Sequence, residues 1–286
     1  GGDVVTKKAV ILAGGLGSRM RRNSADVELK GSSAELADKG LKGLIPINGY
    51  PFLDYVTGEL VRAGCGELCL VIPPDCQELE KYCERASQQL GAQIIPAVQE
   101  EPKGTADALL AAESVLSGGP FVMCNCDNYY PASVLRDLHE ISDKSCYAVG
   151  FSRNALVENS NFGADRVDRF AVLTIEGEDN LAEIVEKPEN PEDYAVNGDL
   201  RVSMNLYRFT TDIFDACRAI EAHPERREYE LTEAVRRLLR EETVPFRVVF
   251  SEGPVVDLTA RGDVVGAADF LPSHPAGFGP MANGDQ

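Results

Sequence analysis

Apolar and polar residues alternate in blocks along the first half of the chain. Short apolar runs are typical of strands buried on both faces, and they read AVILAGG, LCLVIPP, QIIPAVQ, FVMCNCDN and CYAVGF. The longer segments between these runs carry apolar residues at helical spacing. This order predicts an α/β fold with three layers, α/β/α, in which helices cover a mostly parallel, Rossmann-like sheet.

The second half of the chain has a more mixed pattern. We predict added strands there at FAVLTIEG, VSMNLYRF and FRVVFSE, and a late helix at YELTEAVRRLLREE. The length of 286 residues suits one large domain, so a single domain is predicted over residues 1–271. Residues 272–286 are rich in glycine and proline and are expected to form a flexible tail.

The net charge limits the kinds of partner that the chain can bind, and the cysteine pattern limits the kinds of metal or redox site. The net charge of −18 argues against nucleic acid or an anionic membrane surface as the main partner. The eight cysteines contain no CxxC pair, which disfavours a zinc ribbon or a thioredoxin-type site. The chain shows no signal peptide and no apolar run of membrane-spanning length, so we expect a cytoplasmic protein. A small anionic ligand needs only a local basic pocket and stays compatible with this charge.

The first apolar run ends in a glycine-rich stretch, ILAGGLGSRM, at residues 11–20. Such a turn lets backbone N–H groups converge on phosphate oxygens, and Arg19 adds a bidentate charged donor. A tight strand-to-helix turn with a surface arginine is the plainer interpretation. The stretch is not a P-loop, because the chain contains no Gly-Lys dipeptide. It also fits the dinucleotide fingerprint poorly, because Met20 stands where that motif needs its third glycine.

The stretch closely resembles the LAGGxGSRM/L signature of sugar-1-phosphate nucleotidylyltransferases. The matching residues are Leu12, Ala13, Gly14, Gly15, Gly17, Ser18 and Arg19. Further segments resemble the family in the same order over roughly residues 7–271, namely LKGLIPINGYPFLDYV, QEEPKGTADALLAA, CNCDNYY, EIVEKP, VSMNLYRF and VVDLTARGDVVGAADFL. GTADA and SMxxY favour the catalytic domain of ADP-glucose pyrophosphorylases. The resemblance implies a GT-A-like α/β/α fold.

The resemblance also assigns roles to individual residues. It implies catalytic roles for Arg19, Lys42 and Asp127. It implies nucleotide binding by Leu12, Ala13, Gly14, Gly15, Gly17, Ser18, Gln99, Gly104 and Thr105. Sugar-phosphate binding is expected from Glu186, Lys187, Ser203 and Asn205. Asp127 and Asp257 would hold a Mg²⁺ cofactor.

The implied reaction joins a nucleoside triphosphate and a sugar 1-phosphate and releases pyrophosphate. GTADA together with Gln99 favours a purine triphosphate, ATP ahead of GTP. The family's glycines are replaced by Ala171, Asn205 and Thr259, which leaves the acceptor open between a sugar and a cyclitol 1-phosphate. A polar insertion at residues 23–40 lies beside the expected active site and predicts a long surface loop or a short extra helix.

Alternatives stay open at this point. A non-catalytic nucleotide-sugar sensor on the same fold is the main one, and a nicotinamide-dependent oxidoreductase is disfavoured by Met20. Taken singly, Asp127 could cap a helix, the pair Glu186 and Lys187 could be an exposed pair, and Asp257 could lie in a turn. The sequence does not decide whether the chain forms a homo-oligomer.

Overall fold

The computed structural model describes residues 7–13, 31–39 and 41–280 of the chain. The strands are β1 (Lys8–Leu12), β2 (Pro46–Ile47), β3 (Tyr50–Pro51), β4 (Glu67–Ile72), β5 (Gln93–Val98), β6 (Phe121–Asn125), β7 (Asn128–Tyr129), β8 (Cys146–Ser152), β9 (Val172–Glu176), β10 (Asn180–Val185), β11 (Arg201–Val202), β12 (Tyr207–Phe209), β13 (Phe246–Ser251) and β14 (Val256–Asp257). The helices are α1 (Ser32–Asp38), α2 (Phe52–Arg62), α3 (Gln77–Leu90), α4 (Thr105–Ala111), α5 (Glu113–Leu116), α6 (Ala132–Glu140), α7 (Arg153–Asn159), α8 (Ala164–Val167), α9 (Asp212–Ala219), α10 (Leu231–Glu241) and α11 (Arg261–Ala267).

A ten-stranded sheet runs through the molecule in the order β11-β9-β10-β13-β8-β12-β6-β1-β4-β5. The strands β6, β1, β4 and β5 pair in parallel, as the alternating pattern predicts. β5 lies at the edge, and its alternating burial differs from the predicted strand buried on both faces. Pro96 suits this edge position, because proline cannot donate a hydrogen bond to a further strand.

Two helical layers cover the sheet, as predicted. Alternate residues of β1 point to opposite sides, so Ala9 and Ile11 join one apolar core while Val10 and Leu12 join the other. On the first side α2, α3 and α6 pack against the sheet, and on the second side α4, α9 and α10 do so. A ligand can therefore approach the sheet at the ends of its strands.

The added strands of the second half make the sheet mixed. β12 lies antiparallel between β6 and β8, and β9 and β10 form an antiparallel pair beyond β13. Because β13 runs parallel to β8, the far half of the sheet combines both kinds of pairing. These strands extend the sheet beside β6 and build the wall of the second pocket described below.

The segment after residue 271 packs against α2 and α3 as far as residue 280. Phe278 is buried, and Tyr50 donates a hydrogen bond to the Gly279 carbonyl oxygen at 2.7 Å. Gly58 allows this approach, because a Cβ at that position would lie 2.2 Å from the carbonyl oxygen of Ala276. The domain limit at residue 271 stays a prediction. Within residues 7–13, 31–39 and 41–280, no helix is long and apolar enough to cross a membrane.

Candidate active site

A cleft of about 540 Å³ opens where β1 and β6 end, at the carboxyl edge of the parallel strands. Ligands of open α/β sheets bind at this edge. We call it the first cleft, and it is lined by Leu12, Ala13, Leu41, Lys42, Gly43, Leu53, Leu79, Gln99, Pro102, Gly104, Thr105, Ala108, Asn125, Cys126, Asp127, Glu186, Glu228, Glu230 and Thr232. Eight residues predicted from the sequence are among them, namely Leu12, Ala13, Lys42, Gln99, Gly104, Thr105, Asp127 and Glu186.

Lys42 and Asp127 form an ion pair inside the first cleft. Lys42 lies in a 3₁₀ turn at residues 42–44, and Asp127 lies two residues after Asn125, the last residue of β6. The Lys42 Nζ lies 3.0 Å from the Asp127 Oδ2. Burial lowers the pKa of Lys42, but the charge of Asp127 and the smaller contributions of its hydrogen bond and of neighbouring groups together outweigh that effect, so the pKa is raised above its usual value. Lys42 is therefore a fixed cation at neutral pH.

Asp257 reaches the same region through a short antiparallel ladder. β14 pairs with β7, and this pairing sets Asp257 opposite Asn128, the residue after Asp127. Asn128 donates a side-chain hydrogen bond to the Asp257 Oδ1 at 3.1 Å, and the Thr259 hydroxyl donates to the same atom at 2.7 Å. The two aspartates thus come from distant parts of the sequence to neighbouring positions.

Arg166 is a partner of Asp257 that the sequence did not reveal. Its Nη1 donates to the Asp257 Oδ2 at 3.0 Å, and its guanidinium also binds both carboxylate oxygens of Asp263. Burial raises the pKa of Asp257 to about 7, and the charge of Asp127 adds to this rise while Arg166 opposes it. No motif surrounds Arg166, so only the fold places it beside the aspartates.

The two aspartates fit a Mg²⁺ ion in their donor chemistry. Oxygen ligands suit Mg²⁺, which is commonly held by one or two carboxylates together with substrate phosphates. Burial is the main cause of the raised pKa of Asp257 and the charge of Asp127 adds to it, so a cation bound between the two carboxylates would stabilise their charged forms. Among the residues that the structure describes, no group of three or more His, Cys, Asp or Glu side chains that could hold a metal ion occurs.

Gly104 and Thr105, in the wall of the first cleft, contact a segment that is distant in sequence, residues 228–232. Gly104 has φ of +103°, and a Cβ there would lie 2.5 Å from the Tyr229 carbonyl oxygen. The Thr105 hydroxyl accepts a hydrogen bond from the Leu231 backbone N–H at 2.8 Å. The wall of the cleft is thereby tied to residues 228–232, which the sequence did not predict at the site.

A second pocket of about 320 Å³ adjoins the first cleft. It is lined by Arg169, Phe170, Ala171, Ile184, Glu186, Lys187, Ser203, Asn205, Tyr207, Arg226, Glu230 and Thr232. The four residues predicted to bind the sugar phosphate, Glu186, Lys187, Ser203 and Asn205, are all among them. Glu186, Glu230 and Thr232 line both cavities, so the two form one continuous site.

The cations of the second pocket differ in their partners. Arg226 forms an ion pair with Glu230 at 2.5 Å. Neither Lys187 nor Arg169 has an acidic partner within the described part of the chain, and Arg169 donates only to the backbone oxygen of Asp165. Two cations are therefore available to an anionic ligand in this pocket, one of them unforeseen.

Several predicted residues lie outside the described ranges. These are Gly14, Gly15, Gly17, Ser18 and Arg19. Their roles, and those of the other predicted site residues, remain predictions. Of the polar insertion, residues 31–39 are described and contain α1, in agreement with a short extra helix. Arg261 donates to Asp38 at 2.6 Å and ties α1 to α11.

Known proteins resemble this chain in sequence over most of its length. The sequence model of the nucleotidyl transferase family matches residues 8–253. The low-salt glycan biosynthesis nucleotidyltransferase Agl11 of Haloferax volcanii is 28% identical over 82% of this chain, which spans 57% of that relative's length. The UTP–glucose-1-phosphate uridylyltransferase AglF of the same organism is 28% identical over 82% of this chain and 84% of its own.

Solved structures show the same fold. A UDP-glucose pyrophosphorylase in complex with UDP-glucose superposes with a TM-score of 0.71 at 20% identity, covering 93% of this chain and 98% of that one. The fold and the family resemblance predicted from the sequence are both confirmed by these matches.

Proposed function

The chain belongs to the nucleotidyl transferase family, and on that premise we propose that it transfers a nucleoside monophosphate from a triphosphate to a sugar or cyclitol 1-phosphate. The products would be a nucleoside diphosphate sugar, or its cyclitol counterpart, and pyrophosphate. The observation that carries the proposal is the pair of adjoining cavities, which share Glu186, Glu230 and Thr232. One has room for the triphosphate beside Lys42, and the other offers Lys187 to the acceptor phosphate.

The reaction needs charge neutralisation more than acid–base chemistry. A phosphate oxygen of the acceptor attacks the α-phosphorus, and the bond from that phosphorus to the pyrophosphate oxygen breaks. The attacking oxygen is already ionised, so no side-chain nucleophile or base is required. Lys42 would offset the charge of the triphosphate and Lys187 that of the acceptor, with Arg19 proposed as a further cation.

Asp127 and Asp257 are proposed to hold Mg²⁺ in this reaction. When bound, the ion would stabilise the negative charge that develops on the phosphates. Asn128, Thr259 and Arg166 hold the Asp257 carboxylate by hydrogen bonds to both of its oxygens. This scaffold fixes one aspartate in place, which supports its use as a preorganised ligand.

The base is proposed to be a purine, ATP ahead of GTP, on the strength of GTADA and Gln99. One relative is named for UTP and others are named as thymidylyltransferases, so a pyrimidine is the competing choice. A competition assay decides between a purine and a pyrimidine. Each of the other common triphosphates is added to the reaction with the best substrate, and the inhibition is measured. A clear preference for UTP or dTTP would overturn the purine assignment.

The test of the reaction is pyrophosphate release in the presence of Mg²⁺. Each triphosphate of a panel is combined with each of several hexose and cyclitol 1-phosphates. The reaction is measured in the forward direction and in the reverse direction, from the nucleotide sugar or its cyclitol counterpart and pyrophosphate. We expect release only when both substrates are present. Tight binding of a nucleotide sugar without release from any pair would favour a sensor instead.

A further inference from the structure

Among the residues that the structure describes, the strand β14, which carries Asp257, pairs with another strand on one side only. On that side it meets β7, and the Leu258 N–H donates to the Asp127 carbonyl oxygen at 2.8 Å. Successive residues of an antiparallel strand turn their backbone groups to opposite sides, so the N–H and carbonyl of Asp257 face away from β7. Because β14 is buried, these two groups need partners inside the protein.

Asn161 supplies both partners with one side chain. Its Nδ2 donates to the Asp257 carbonyl oxygen at 2.8 Å, and the Asp257 N–H donates to its Oδ1 at 2.8 Å. A side-chain amide holds a donor and an acceptor side by side, so it can take the place of one residue of a neighbouring strand. The Ser160 hydroxyl accepts a further hydrogen bond from the Val255 N–H at 3.0 Å. Residues 160 and 161 thus lie where a second strand would pair.

The same segment of the chain also reaches the side chain of Asp257. Arg166, on α8, donates to the Asp257 Oδ2, while Asn128 and Thr259 donate to Oδ1. A carboxylate keeps its direction only when the backbone that carries it is also held. Asn161 therefore completes the support of Asp257, since it fixes the backbone whose carboxylate the other three residues hold.

We propose that Asn161 is a positioning residue that holds the backbone of Asp257 so that its carboxylate and that of Asp127 can bind one Mg²⁺ ion. Asn161 lines neither cavity and acts through Asp257. The inference rests on the proposed function, because it takes Asp257 as a ligand of the proposed ion. It goes further by making the affinity for the ion depend on a residue outside the site.

A role confined to the stability of the fold is the competing explanation. Ser160 offers an internal comparison, because it makes the same kind of hydrogen bond but to Val255, two residues before the proposed ligand. Both Ser160→Ala and Asn161→Leu remove contacts with this segment and should lower the melting temperature. Only Asn161→Leu should also weaken the binding of a divalent ion.

The test is the binding of Mn²⁺ alone, which suits the same oxygen ligands as Mg²⁺ and is followed by electron paramagnetic resonance at pH 8. Asn161→Leu keeps the branched shape of the side chain but removes both hydrogen bonds to Asp257. Its Kd for Mn²⁺ should rise about ten- to a hundredfold, as is typical when a contact behind a metal ligand is lost. Ser160→Ala should keep the wild-type Kd, and Asp257→Asn should lose the site.

Two further measurements separate positioning from general damage. Asn161→Ala, in which water can partly replace the amide, should raise the Kd in the same direction and keeps the test available if Asn161→Leu does not fold. In the pyrophosphate assay, the Mg²⁺ concentration for half-maximal rate should rise in the Asn161 variants. Saturating Mg²⁺ should then restore most of the rate, which it would not do for a protein that is merely unstable.

A wild-type Kd for Mn²⁺ in both Asn161 variants would overturn the inference, and so would equal increases in Asn161→Leu and Ser160→Ala. A Mn²⁺ site that survives Asp257→Asn, or no binding of Mn²⁺ by the wild type, would overturn it as well. The expected changes in Kd without any pyrophosphate release by the wild type would support the positioning role and count against the proposed reaction. The two failures are thus distinguishable.

Discussion

The first cleft and the second pocket hold their polar groups in different ways. In the first cleft the key side chains are tied to the protein, as Lys42 is to Asp127 and Gln99 is to Asp107. In the second pocket, within the described part of the chain, Lys187 and Arg169 have no acidic partner. A tied group is preorganised for one ligand geometry, whereas an exposed cation adapts to several. We infer that the nucleotide side fixes the reaction geometry while the acceptor side tolerates different rings.

The largest effect on activity is expected from substitution of the two aspartates, Asp127 and Asp257. Asp127→Asn should lower kcat by about 10²–10³, because it removes a charged ligand of the proposed ion and the partner of Lys42. Asp257→Asn should behave alike, and the double variant should be little worse than either single one. Rates measured over a range of Mg²⁺ concentrations check this.

The matched control is Asp137→Asn on α6, an exposed carboxylate that should keep full activity. Thermal unfolding of Asp257→Asn should be followed as well, because this change also alters the contact with Arg166. Full Mg²⁺-dependent activity of Asp257→Asn, with only Asp127→Asn inactive, would return Asp257 to a structural role.

The second effect separates the two regions directly. Lys187→Ala should raise KM for the acceptor phosphate about ten- to a hundredfold, the value of a charge-assisted hydrogen bond of roughly 1.5–3 kcal/mol. KM for the triphosphate should stay nearly unchanged. Lys144→Ala, another exposed lysine, is the control and should change neither value. An unchanged acceptor KM in Lys187→Ala would remove Lys187 from the site.

A smaller effect is expected at Arg169. Arg169→Gln should raise the acceptor KM about three- to tenfold, because the side chain is exposed and water screens its charge. The increase should shrink at high salt, unlike a change in shape. Arg136→Gln on the outer face of α6 is the matched control. Equal KM values for the two variants would show that Lys187 acts alone.

The smallest effect is on the free energy of unfolding and comes from His139, which lines neither cavity. Burial lowers the pKa of His139 to about 4, and its Nε2 has no hydrogen-bond partner among the described residues. The unfolded chain therefore binds a proton that the folded one excludes, and stability is lost as the pH falls below the ordinary pKa of about 6.5. Between about pH 7 and pH 5.5 this single group should account for a loss of about 1 kcal/mol.

His139→Phe should remove this part of the pH dependence of unfolding, measured in urea, and leave kcat unchanged. His274→Phe, at an exposed position, should keep the wild-type dependence. A wild-type dependence in His139→Phe would show that other groups cause the acid sensitivity.

Part of the first cleft could be predicted from the sequence, and the reasons are physical. Buried parallel strands such as β1, β4 and β6 carry a strong apolar pattern, and Asp127 lies two residues beyond the end of β6. β7 and β14 have two residues each, too short for any pattern, yet their pairing brings Asp257 beside Asn128. Arg166 was missed because its partners, Asp257 and Asp263, lie far from it in the sequence and only the fold brings them together.

The central claim is that donor and acceptor occupy adjoining cavities at once and react directly. Exchange of labelled pyrophosphate into the triphosphate tests it most directly. Without acceptor phosphate the protein should catalyse no exchange, and with acceptor, Mg²⁺ and its own triphosphate the label should appear in that triphosphate. Exchange in the absence of any acceptor would show that a nucleotidylated protein forms first, and it would contradict the account.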